Sequence, residues 1–360
     1  MTNTRHLCIV APSRKMGGIE RALAVIANES VKKGLKVTYI SCLKGHAFYE
    51  LSDQITVFEF QGNRAGGIVN KLLFYPRLIL FIRRAVLAVQ PDAVLSFGDV
   101  FNPLVILALL GKKIPVFISD RTSPDYNFPA YIQKLKKLLY PKATGFVAQS
   151  QVAANYKIKH FQNKLKIQII PNAVRKINKY SNVDKQNIIL FAGRFAWEKD
   201  PLILVDAFKL IVDQSNYNLV LAGDGPQREE VIRKVADYGL SDRVELIGEQ
   251  RDIDYQFARA KIYVLPSVLE GFPNALAEAM SAGLAVVCFD TIPYQELIIN
   301  GENGLVVPRT AQALGGAIQK LIDDPELAIQ MGDKAAEIGK QLDAAAITQK
   351  YLNFIFQDNG

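Results

Sequence analysis

The stretch VLPSVLEGFPNALAEAM, from Val264 to Met280, combines a strand end, a tight turn and a helix start. The run Lys261–Leu265 is short, apolar and β-branched at its centre, which predicts a strand. Gly271 permits a turn that other residues resist, and Pro273 suits the first turn of a helix, where its missing N–H is not needed. The apolar residues that follow recur at helical spacing, at Ala275, Leu276, Ala279 and Met280.

Two carboxylates bracket this turn. Glu270 precedes the predicted helix, and Glu278 lies about one turn inside it. The free backbone N–H groups of a helix N-terminus lie between them and favour an anion. Such a site suits a ligand that is part phosphate and part polyol, such as a nucleotide sugar. A Glu near a helix N-terminus can also simply complement the helix dipole, so this pair alone leaves both interpretations open.

Length and composition predict a globular protein of two domains. The chain has 360 residues, of which 49% are hydrophobic and 22% charged, values that exclude a disordered chain. Its cysteines lie singly in apolar, strand-like runs, which predicts buried thiols of a reduced cytoplasmic protein rather than a disulfide framework or a metal site; they are Cys8, Cys42 and Cys288. We expect no secretory signal and no membrane span, because Pro76 and several arginines interrupt the run Leu72–Val89.

Charge divides unevenly between the two halves. Residues 1–180 hold 27 Lys and Arg against 9 Asp and Glu, whereas residues 181–360 hold 16 against 26. The basic first half predicts an anionic partner, and an anionic membrane is favoured over nucleic acid because no nucleic-acid-binding motif is present. Basic clusters beside apolar residues, typical of interfacial helices but also of solvated ones, occur at Arg83 and Arg84, at Lys134, Lys136 and Lys137, and at Lys157 and Lys159.

Short apolar runs alternate with helical patterns along the chain, which predicts doubly wound parallel sheets. In the first half, strands are predicted at His6–Ala11, Lys36–Cys42, Ile55–Glu59, Ala93–Ser96, Pro115–Ser119, Gly145–Ala148 and Ile167–Ile170. In the second half they are predicted at Ile188–Ala192, Leu219–Ala222, Arg243–Ile247, Lys261–Leu265 and Ala285–Phe289, with a turn and strand at Gly301–Pro308 and a helical tail at Ala311–Phe356. The polar segment Pro171–Gln186 is predicted to link two domains.

Loops after the predicted strands carry residues suited to a ligand site, since open α/β sheets bind ligands at the carboxyl ends of their strands. Gly17 and Gly18 follow the first strand, where they let a phosphate or sugar approach the backbone or form a plain tight turn. Arg194 and Lys199 follow Ile188–Ala192 and are predicted to face the same edge as Glu270, where they suit phosphate. The loops Ser96–Asp99 and Asp120–Asp125 either line a cleft or cap helices.

Taken together, the motifs resemble those of the retaining glycosyltransferases of family 4. The second half contains A-G-R-x3-E-K-D, A-G-D-G-P, E-G-F-P-N-A-L-A-E-A-M-S-A-G and N-G-x-x-N-G-L-V-V-P in this order, and Glu270 and Glu278 match the E-x7-E signature. The first half adds G-G-I-E-R-A-L at Gly17–Leu23 and I-P-N at Ile170–Asn172. Each motif is weak alone, but the set covers nearly the whole chain.

The resemblance implies a GT-B fold, in which two Rossmann-like, doubly wound α/β domains face each other across a cleft. The acceptor domain would comprise residues 1–171 with a crossover helix at about 344–358, and a linker at 172–186 would precede the donor domain at 187–343. The donor would be a UDP-sugar, and neither a metal nor another cofactor would be needed.

The resemblance also implies a role for each matching residue. Arg194 and Lys199 would hold the diphosphate and offset leaving-group charge, Glu270 would contact the donor sugar, and Glu278 would bind the ribose. The remaining predicted donor-binding residues are Gly17, Gly18, Gly248, Arg251, Gly271, Phe272, Pro273 and Asn274.

One departure from the family concerns a histidine that many relatives have near the donor sugar and the acceptor. Arg121 stands at that position here, and none of the three histidines fits it. Arg121 is therefore predicted in the catalytic pocket, with Asp99, Asp120 and Asn172 on the acceptor side. The alternative is that Arg121 and Asp120 merely brace their loop.

The predicted function is transfer of a sugar, GalNAc or a hexose, to a polyprenyl-diphosphate-linked saccharide in bacterial surface polysaccharide or glycan synthesis. The enzyme would be cytoplasmic and peripheral on the inner face of the cytoplasmic membrane, with no nucleic-acid partner. Two alternatives stay open: a GT-B epimerase that acts on a nucleotide sugar without an acceptor, and a non-catalytic nucleotide-sugar-binding subunit of a glycan-assembly complex.

Overall fold

The computed structural model describes residues 4–15, 17–62, 67–123, 126–162 and 164–356. Pro124 and Asp125 of the predicted loop, and residues 357 and 358 of the predicted crossover helix, lie outside this range. The chain divides into two compact units: Met1–Ala173 with Ala344–Gly360, here unit 1, and Val174–Asp343, here unit 2. Residues 170–187 contain no helix or strand.

The first twelve strands agree with the predicted apolar runs to within one residue at either end, and the thirteenth lies inside the predicted turn and strand at Gly301–Pro308. They are β1 (His6–Ala11), β2 (Lys36–Ser41), β3 (Thr56–Glu59), β4 (Ala93–Phe97), β5 (Val116–Ser119), β6 (Gly145–Ala148), β7 (Ile167–Ile169), β8 (Ile188–Ala192), β9 (Asn218–Ala222), β10 (Val244–Gly248), β11 (Ile262–Leu265), β12 (Ala285–Phe289) and β13 (Leu305–Val307). Continuous apolar strands are typical of parallel sheets, because helices cover both faces.

The helices occupy the segments between the strands and the carboxy-terminal tail. They are α1 (Gly18–Lys32), α2 (Gly67–Val89), α3 (Phe101–Leu109), α4 (Ala130–Leu139), α5 (Gln151–Phe161), α6 (Pro201–Ile211), α7 (Arg228–Asp237), α8 (Ile253–Arg259), α9 (Asn274–Ser281), α10 (Ala311–Asp323), α11 (Pro325–Ala336), α12 (Ile338–Gln341) and α13 (Ala344–Phe356). Short 3₁₀ turns follow α4 and α6, at Tyr140–Lys142 and Val212–Gln214.

Each unit is built around one parallel sheet. The order in unit 1 is β3-β2-β1-β4-β5-β6-β7, and the order in unit 2 is β10-β9-β8-β11-β12-β13. In both sheets the chain first adds strands on one side and then returns to the other side of the starting strand. This reversal creates a topological switch point between β1 and β4 and another between β8 and β11, where open α/β sheets bind ligands.

The terminal helix α13 packs within unit 1. It packs against α1, and its aromatic side chains meet those of the sheet, with ring centroids 5.9 Å apart for Phe97 and Tyr351 and 5.3 Å apart for Phe117 and Phe354. Such aromatic contacts add to the apolar area that the helix buries. The three cysteines are buried, as predicted.

Candidate active site

The loops that follow β8 and β11 lie side by side, because these two strands are neighbours at the switch point of unit 2. The backbone N–H groups of Val268 and Leu269 both donate to the carbonyl of Glu198, at 2.9 and 3.4 Å. These bonds join the β11 loop, which holds Glu270, to the β8 loop, which holds Lys199. Residues predicted to share one edge of the sheet are therefore in direct contact there.

Glu270 is ion-paired with Lys199. The Lys199 Nζ lies 2.5 Å from Glu270 Oε1, and the buried Ser267 hydroxyl donates to the same oxygen at 2.9 Å. Both bonds end on Oε1, and no hydrogen bond reaches Oε2 from the residues that the structure describes. A carboxylate oxygen thus keeps its acceptor sites at the edge of the sheet.

The start of α9 offers backbone donors beside this ion pair. The N–H groups of Gly271 and Phe272 have no acceptor within the described part of the chain. Phe272 is buried and fixes the turn, and the Asn274 N–H donates to the Phe272 carbonyl at 2.9 Å. The position of these donors fits an anion at a helix N-terminus.

The structure differs from the sequence predictions in two details of this turn. Gly271 does not have a left-handed backbone, so the turn does not need a glycine for its φ angle. Pro273 lies at the N-cap, with φ −81° and ψ 73°, rather than in the first turn of α9. Its ψ is not helical, and the helix therefore begins one residue later.

Glu278 is buried in the second turn of α9, where Arg175 donates to it. The Arg175 Nε lies 3.2 Å from Glu278 Oε2. The other two nitrogens of the same guanidinium bond both carboxylate oxygens of Asp254, with Nη1 to Oδ2 at 2.8 Å. The backbone N–H of Asn178 also donates to Asp254, at 2.8 Å. One arginine therefore joins α8 and α9.

Charge and burial oppose each other in this cluster. Burial alone would lower the pKa of Arg175, but its hydrogen bonds to Asp254 and the charge of Glu278 outweigh burial and raise that pKa. Burial alone would raise the pKa of Asp254. The hydrogen bonds from Arg175 and from the Asn178 N–H hold that pKa below its usual range. Arg175 and Asp254 are thus both ionised at neutral pH.

Arg175 and Asp254 did not emerge from the sequence as site residues. Arg175 belongs to the polar, aperiodic segment that predicted only a linker, and Asp254 lies in a helix start where an acidic residue is ordinary. The spacing Asp252-Ile253-Asp254 forms a D-x-D pair, but the two carboxylates bond the Tyr180 hydroxyl and Arg175. Nothing in one sequence links Arg175 to Glu278.

The other predicted donor-binding side chains lie on loops at the same edge of the sheet. Arg194 is exposed in the β8 loop, and Arg251 is exposed after β10; neither side chain has a hydrogen-bond partner among the described residues. Gly248 ends β10 with a left-handed φ of 68°, and its carbonyl accepts the Gly223 N–H at 2.8 Å. Two long cationic side chains thus remain available for an anion.

The glycine turn after β9 packs closely against the β8 loop. A Cβ on Gly223 would lie 1.9 Å from the Gly193 carbonyl oxygen, and one on Gly225 would lie 2.4 Å from the Phe195 carbonyl oxygen. The Phe195 N–H donates to the Asp224 carbonyl at 2.9 Å, and Phe195 itself is buried. The A-G-D-G-P motif therefore positions the loop that carries Arg194 and Lys199.

Tyr263 connects the two glutamates electrostatically. It is buried in β11, where its hydroxyl donates to the Ala192 carbonyl at 3.2 Å. Burial, and then the charges of Glu270 and Glu278, raise the pKa of Tyr263 far above its usual value. Both carboxylates therefore lie near one buried phenol.

In unit 1, Gly17 and Gly18 lie at the corresponding switch point. Gly17 is the N-cap of α1 and has an extended backbone with φ 176°, which any residue can adopt. A Cβ on Gly18 would meet no atom within 4 Å, whereas one on Gly17 would meet only the flexible Glu20 carboxylate. A helix N-terminus such as the start of α1 fits an anion, and the predicted role of both glycines stays a prediction.

Asp99 and Asp120 form a buried ionic network in unit 1. The Lys136 Nζ lies 2.6 Å from Asp99 Oδ1 and 2.8 Å from Asp120 Oδ2. Lys157 bonds the same Asp120 oxygen, and the Tyr140 hydroxyl donates to Asp120 Oδ1 at 2.5 Å. The network was not predicted, because its members come from four separate segments; Asn102 completes it with a 3.1 Å bond to Asp120.

This network corrects the prediction of surface clusters at Lys134, Lys136 and Lys137 and at Lys157 and Lys159. Lys157 is buried, and only 13% of the Lys136 side chain is exposed. Both ammonium groups point inward because each finds a buried carboxylate, which a solvated or interfacial lysine does not require. Lys134, Lys137 and Lys159 are exposed.

The pKa values of the two carboxylates of the network are shifted in opposite directions. Burial, and then the charge of Asp120, raise the pKa of Asp99 to about 6. Burial would raise the pKa of Asp120 too, but the charges of Lys157 and Lys136 overcome it and hold that pKa far below its usual range. Asp120 therefore carries the fixed negative charge of the network.

Arg121 is bonded on three sides within unit 1. Its guanidinium stacks 3.7 Å above the Phe97 ring, donates to the Tyr351 hydroxyl at 2.6 Å and bonds the Asn172 amide oxygen. Burial, partly offset by Tyr351, lowers the pKa of Arg121. The arginine thus joins three distant segments of unit 1, and the predicted catalytic role of Arg121 and the acceptor-side role of Asn172 stay predictions.

The described residues contain no candidate metal centre, because no group of three or more His, Cys, Asp or Glu side chains is arranged to hold a metal ion. Within the same ranges of the chain, no helix is both long enough and apolar enough to cross a membrane.

Two family models match the chain, one in each half. The Glycosyltransferase Family 4 model matches residues 16–176, and the Glycosyl transferases group 1 model matches residues 174–338. The chain is 27% identical over 349 residues to the Campylobacter jejuni "GalNAc-alpha-(1->4)-GalNAc-alpha-(1->3)-diNAcBac-PP-undecaprenol alpha-1,4-N-acetyl-D-galactosaminyltransferase", an alignment that covers 94% of this chain and 95% of that protein.

Two solved structures share the fold. One is a glycosyltransferase from Rickettsia africae, with a TM-score of 0.82 and 20% identity over 99% of this chain and 100% of that one. The other is Anabaena HepE in complex with UDP, with a TM-score of 0.78 and 18% identity over 97% of this chain and 98% of that one. The chain belongs to the glycosyltransferases of the family 4 type, which have the GT-B fold.

Proposed function

We propose that this chain transfers a sugar, GalNAc or a hexose, from a UDP-sugar to a polyprenyl-diphosphate-linked saccharide. The transfer retains the anomeric configuration, needs neither a metal nor another cofactor, and serves the synthesis of a bacterial surface polysaccharide or glycan. Support comes from the Campylobacter jejuni relative, whose name gives a PP-undecaprenol-linked acceptor, and from the UDP bound to HepE.

The observation that carries the proposal is the contact between Lys199 and Glu270 beside the open amides of Gly271 and Phe272. An ammonium group has three donors, and Glu270 takes one of them, so two remain for phosphate oxygens. The Oε2 of Glu270 keeps its acceptor sites for a sugar hydroxyl. Cations and carboxylate therefore serve different parts of one ligand.

The proposed chemistry is mainly electrostatic. As the bond between the sugar and the diphosphate breaks, negative charge grows on the leaving group. Lys199, Arg194 and the amides at the α9 start are positioned to stabilise that charge before the reaction begins. Glu270 holds the sugar and Glu278 the ribose, and neither needs to transfer a proton. The E-x7-E pair is accordingly not a hydrolase dyad.

The proposed location is the cytoplasmic side of the membrane, where the protein is peripheral. On α4, Tyr131 and Leu138 are 62% and 66% exposed, and the exposed Lys134 and Lys137 lie beside them. Apolar side chains flanked by lysines suit the interface of an anionic membrane. A lipid-linked acceptor would be reached from that surface.

A donor screen tests the function. The protein is incubated with UDP- and GDP-sugars and a polyprenyl-diphosphate-linked saccharide pool, and products are identified by mass. We expect one UDP-sugar to lengthen the lipid-linked saccharide by one residue. Conversion of the donor to another nucleotide sugar without lipid would instead show an epimerase, and UDP binding without turnover of any donor would indicate a non-catalytic subunit.

A further inference from the structure

We infer that Arg175 is a positioning residue of the donor site, which orients the Glu278 carboxylate toward the ribose hydroxyls of the nucleotide. The inference rests on the proposed function, since it assigns the ribose to Glu278. It adds a residue that neither the motifs nor the fold assigns.

The geometry of the guanidinium carries the inference. A planar fork that gives two nitrogens to Asp254 and its Nε to Glu278 has little rotational freedom left. Asp254 is itself 2% exposed and receives the Asn178 N–H. Asp254 therefore restrains the guanidinium of Arg175, and Arg175 in turn restrains the carboxylate of Glu278.

The arrangement acts on how Glu278 binds rather than on the reacting bond. Arg175 bonds Oε2 of Glu278 and fixes the plane of the carboxylate. A carboxylate in a fixed plane binds two neighbouring hydroxyls with less loss of side-chain entropy than a freely rotating one. A lysine at this position would supply the charge without the fork, and could not bond both carboxylates in the same way.

The test compares binding of UDP and 2′-deoxy-UDP by calorimetry. We expect the wild type to prefer UDP, and Arg175→Met to reduce both the UDP affinity and the preference by roughly 10-fold, the loss of about one charge-assisted hydrogen bond. Arg175→Lys should fall between the two. A double-mutant cycle combines Arg175→Met with Glu278→Gln. The double variant should prefer UDP over 2′-deoxy-UDP no less than Glu278→Gln alone does, because both changes act on one contact.

Two further variants separate positioning from general loss of structure. Arg243 is a matched control: it is a partly buried arginine of unit 2 with three hydrogen-bond acceptors, the Asn218 side chain and the carbonyls of Ser215 and Tyr217. Arg243→Ala should lower the melting temperature and leave the nucleotide preference unchanged. If Arg175→Met does not fold, Asp254→Asn weakens the fork while keeping the arginine and should also reduce the preference.

The outcomes separate this inference from the proposed function. A wild type that prefers UDP, with Arg175 variants that keep the full preference, overturns the inference and leaves the function intact. Equal binding of the two nucleotides by the wild type also overturns it, because Glu278 would not contact the 2′-hydroxyl. A wild type that binds neither nucleotide overturns both.

Discussion

The ammonium group of Lys199 lies 2.5 Å from the carboxylate of Glu270, although 71 residues separate them in the sequence. The pair is brought together by two neighbouring strands, β8 and β11, whose following loops are joined by backbone hydrogen bonds. Because Glu270 is mostly buried and Lys199 is about three-quarters buried, each limits the conformations of the other. The Lys199–Glu270 contact therefore restricts both side chains of the candidate site.

Removal of the cations should slow transfer without unfolding the protein. Lys199→Ala and Arg194→Ala should each reduce turnover by roughly 10²–10³, as losing one preorganised contact to a developing charge does. Steady-state kinetics with the donor found by the screen measures the effect. Lys209→Ala, an exposed lysine at the end of α6, serves as control. Near-normal turnover by the double alanine variant would show that the diphosphate assignment is wrong.

The buried network of unit 1 should depend mainly on Asp120. Asp120→Asn leaves the ammonium groups of Lys136 and Lys157 without their shared counter-charge and should lower the free energy of unfolding by about 3–5 kcal/mol. Urea denaturation at neutral pH measures it. Asp99→Asn should lower the free energy of unfolding by less, because Lys136 keeps its ion pair with Asp120. Equal losses for the two variants would contradict the central place of Asp120.

The raised pKa of Asp99, about 6, predicts a specific pH dependence of stability. The folded state holds this proton more tightly than the unfolded chain, whose aspartates titrate near ~3.9. The contribution of Asp99 to stability is therefore largest at low pH, declines as pH rises from about 4 to about 6, and is constant above. The difference in unfolding free energy between wild type and Asp99→Asn should fall across this window; a flat or rising difference would argue against it.

Three glycine substitutions should differ in sign and size. Gly223→Ala combines a φ of 144° with a Cβ 1.9 Å from a backbone oxygen, and should cost about 3 kcal/mol or more and weaken UDP binding. Gly239 has a φ of 67°, but an added Cβ would meet no atom within 4 Å, so Gly239→Ala should lower the free energy of unfolding by about 1 kcal/mol. Gly316→Ala, in open space on α10, should gain about 0.4–1 kcal/mol. Thermal unfolding and UDP titration measure all three, and a Gly223→Ala protein with wild-type UDP affinity would refute the support role of this turn.

The exposed face of α4 should bind anionic membranes. Replacing Tyr131 and Leu138 by serine should weaken co-sedimentation with vesicles of anionic lipid by roughly 30-fold or more, since each change removes an apolar side chain worth about 1 kcal/mol or more on burial. Ile329→Ser, a residue of unit 2 with similar exposure, is the matched control. Binding that is equally strong to neutral vesicles, or unaffected by the double change, would contradict the proposed surface.

The candidate site was predictable where it depends on local sequence. Glu270, Lys199 and Arg194 lie in loops after apolar strands, and parallel strands bring such loops to one edge whatever else the chain does. Arg175 was not predictable, because it meets Glu278 across 103 residues from a segment without periodicity. Arg121 likewise reaches Tyr351 across 230 residues.

By itself, the sequence determined the strands, most helices and the two-sheet organisation, because hydrophobic periodicity and turn-forming residues act over a few positions. Tertiary structure alone decided which polar side chains are buried together. Lys157 and the exposed Lys159 are alike in sequence, yet only Lys157 meets a buried carboxylate. The direction in which a helical lysine points depends on the neighbouring elements, since a buried charge is stable only opposite a partner, and no local pattern encodes that partner.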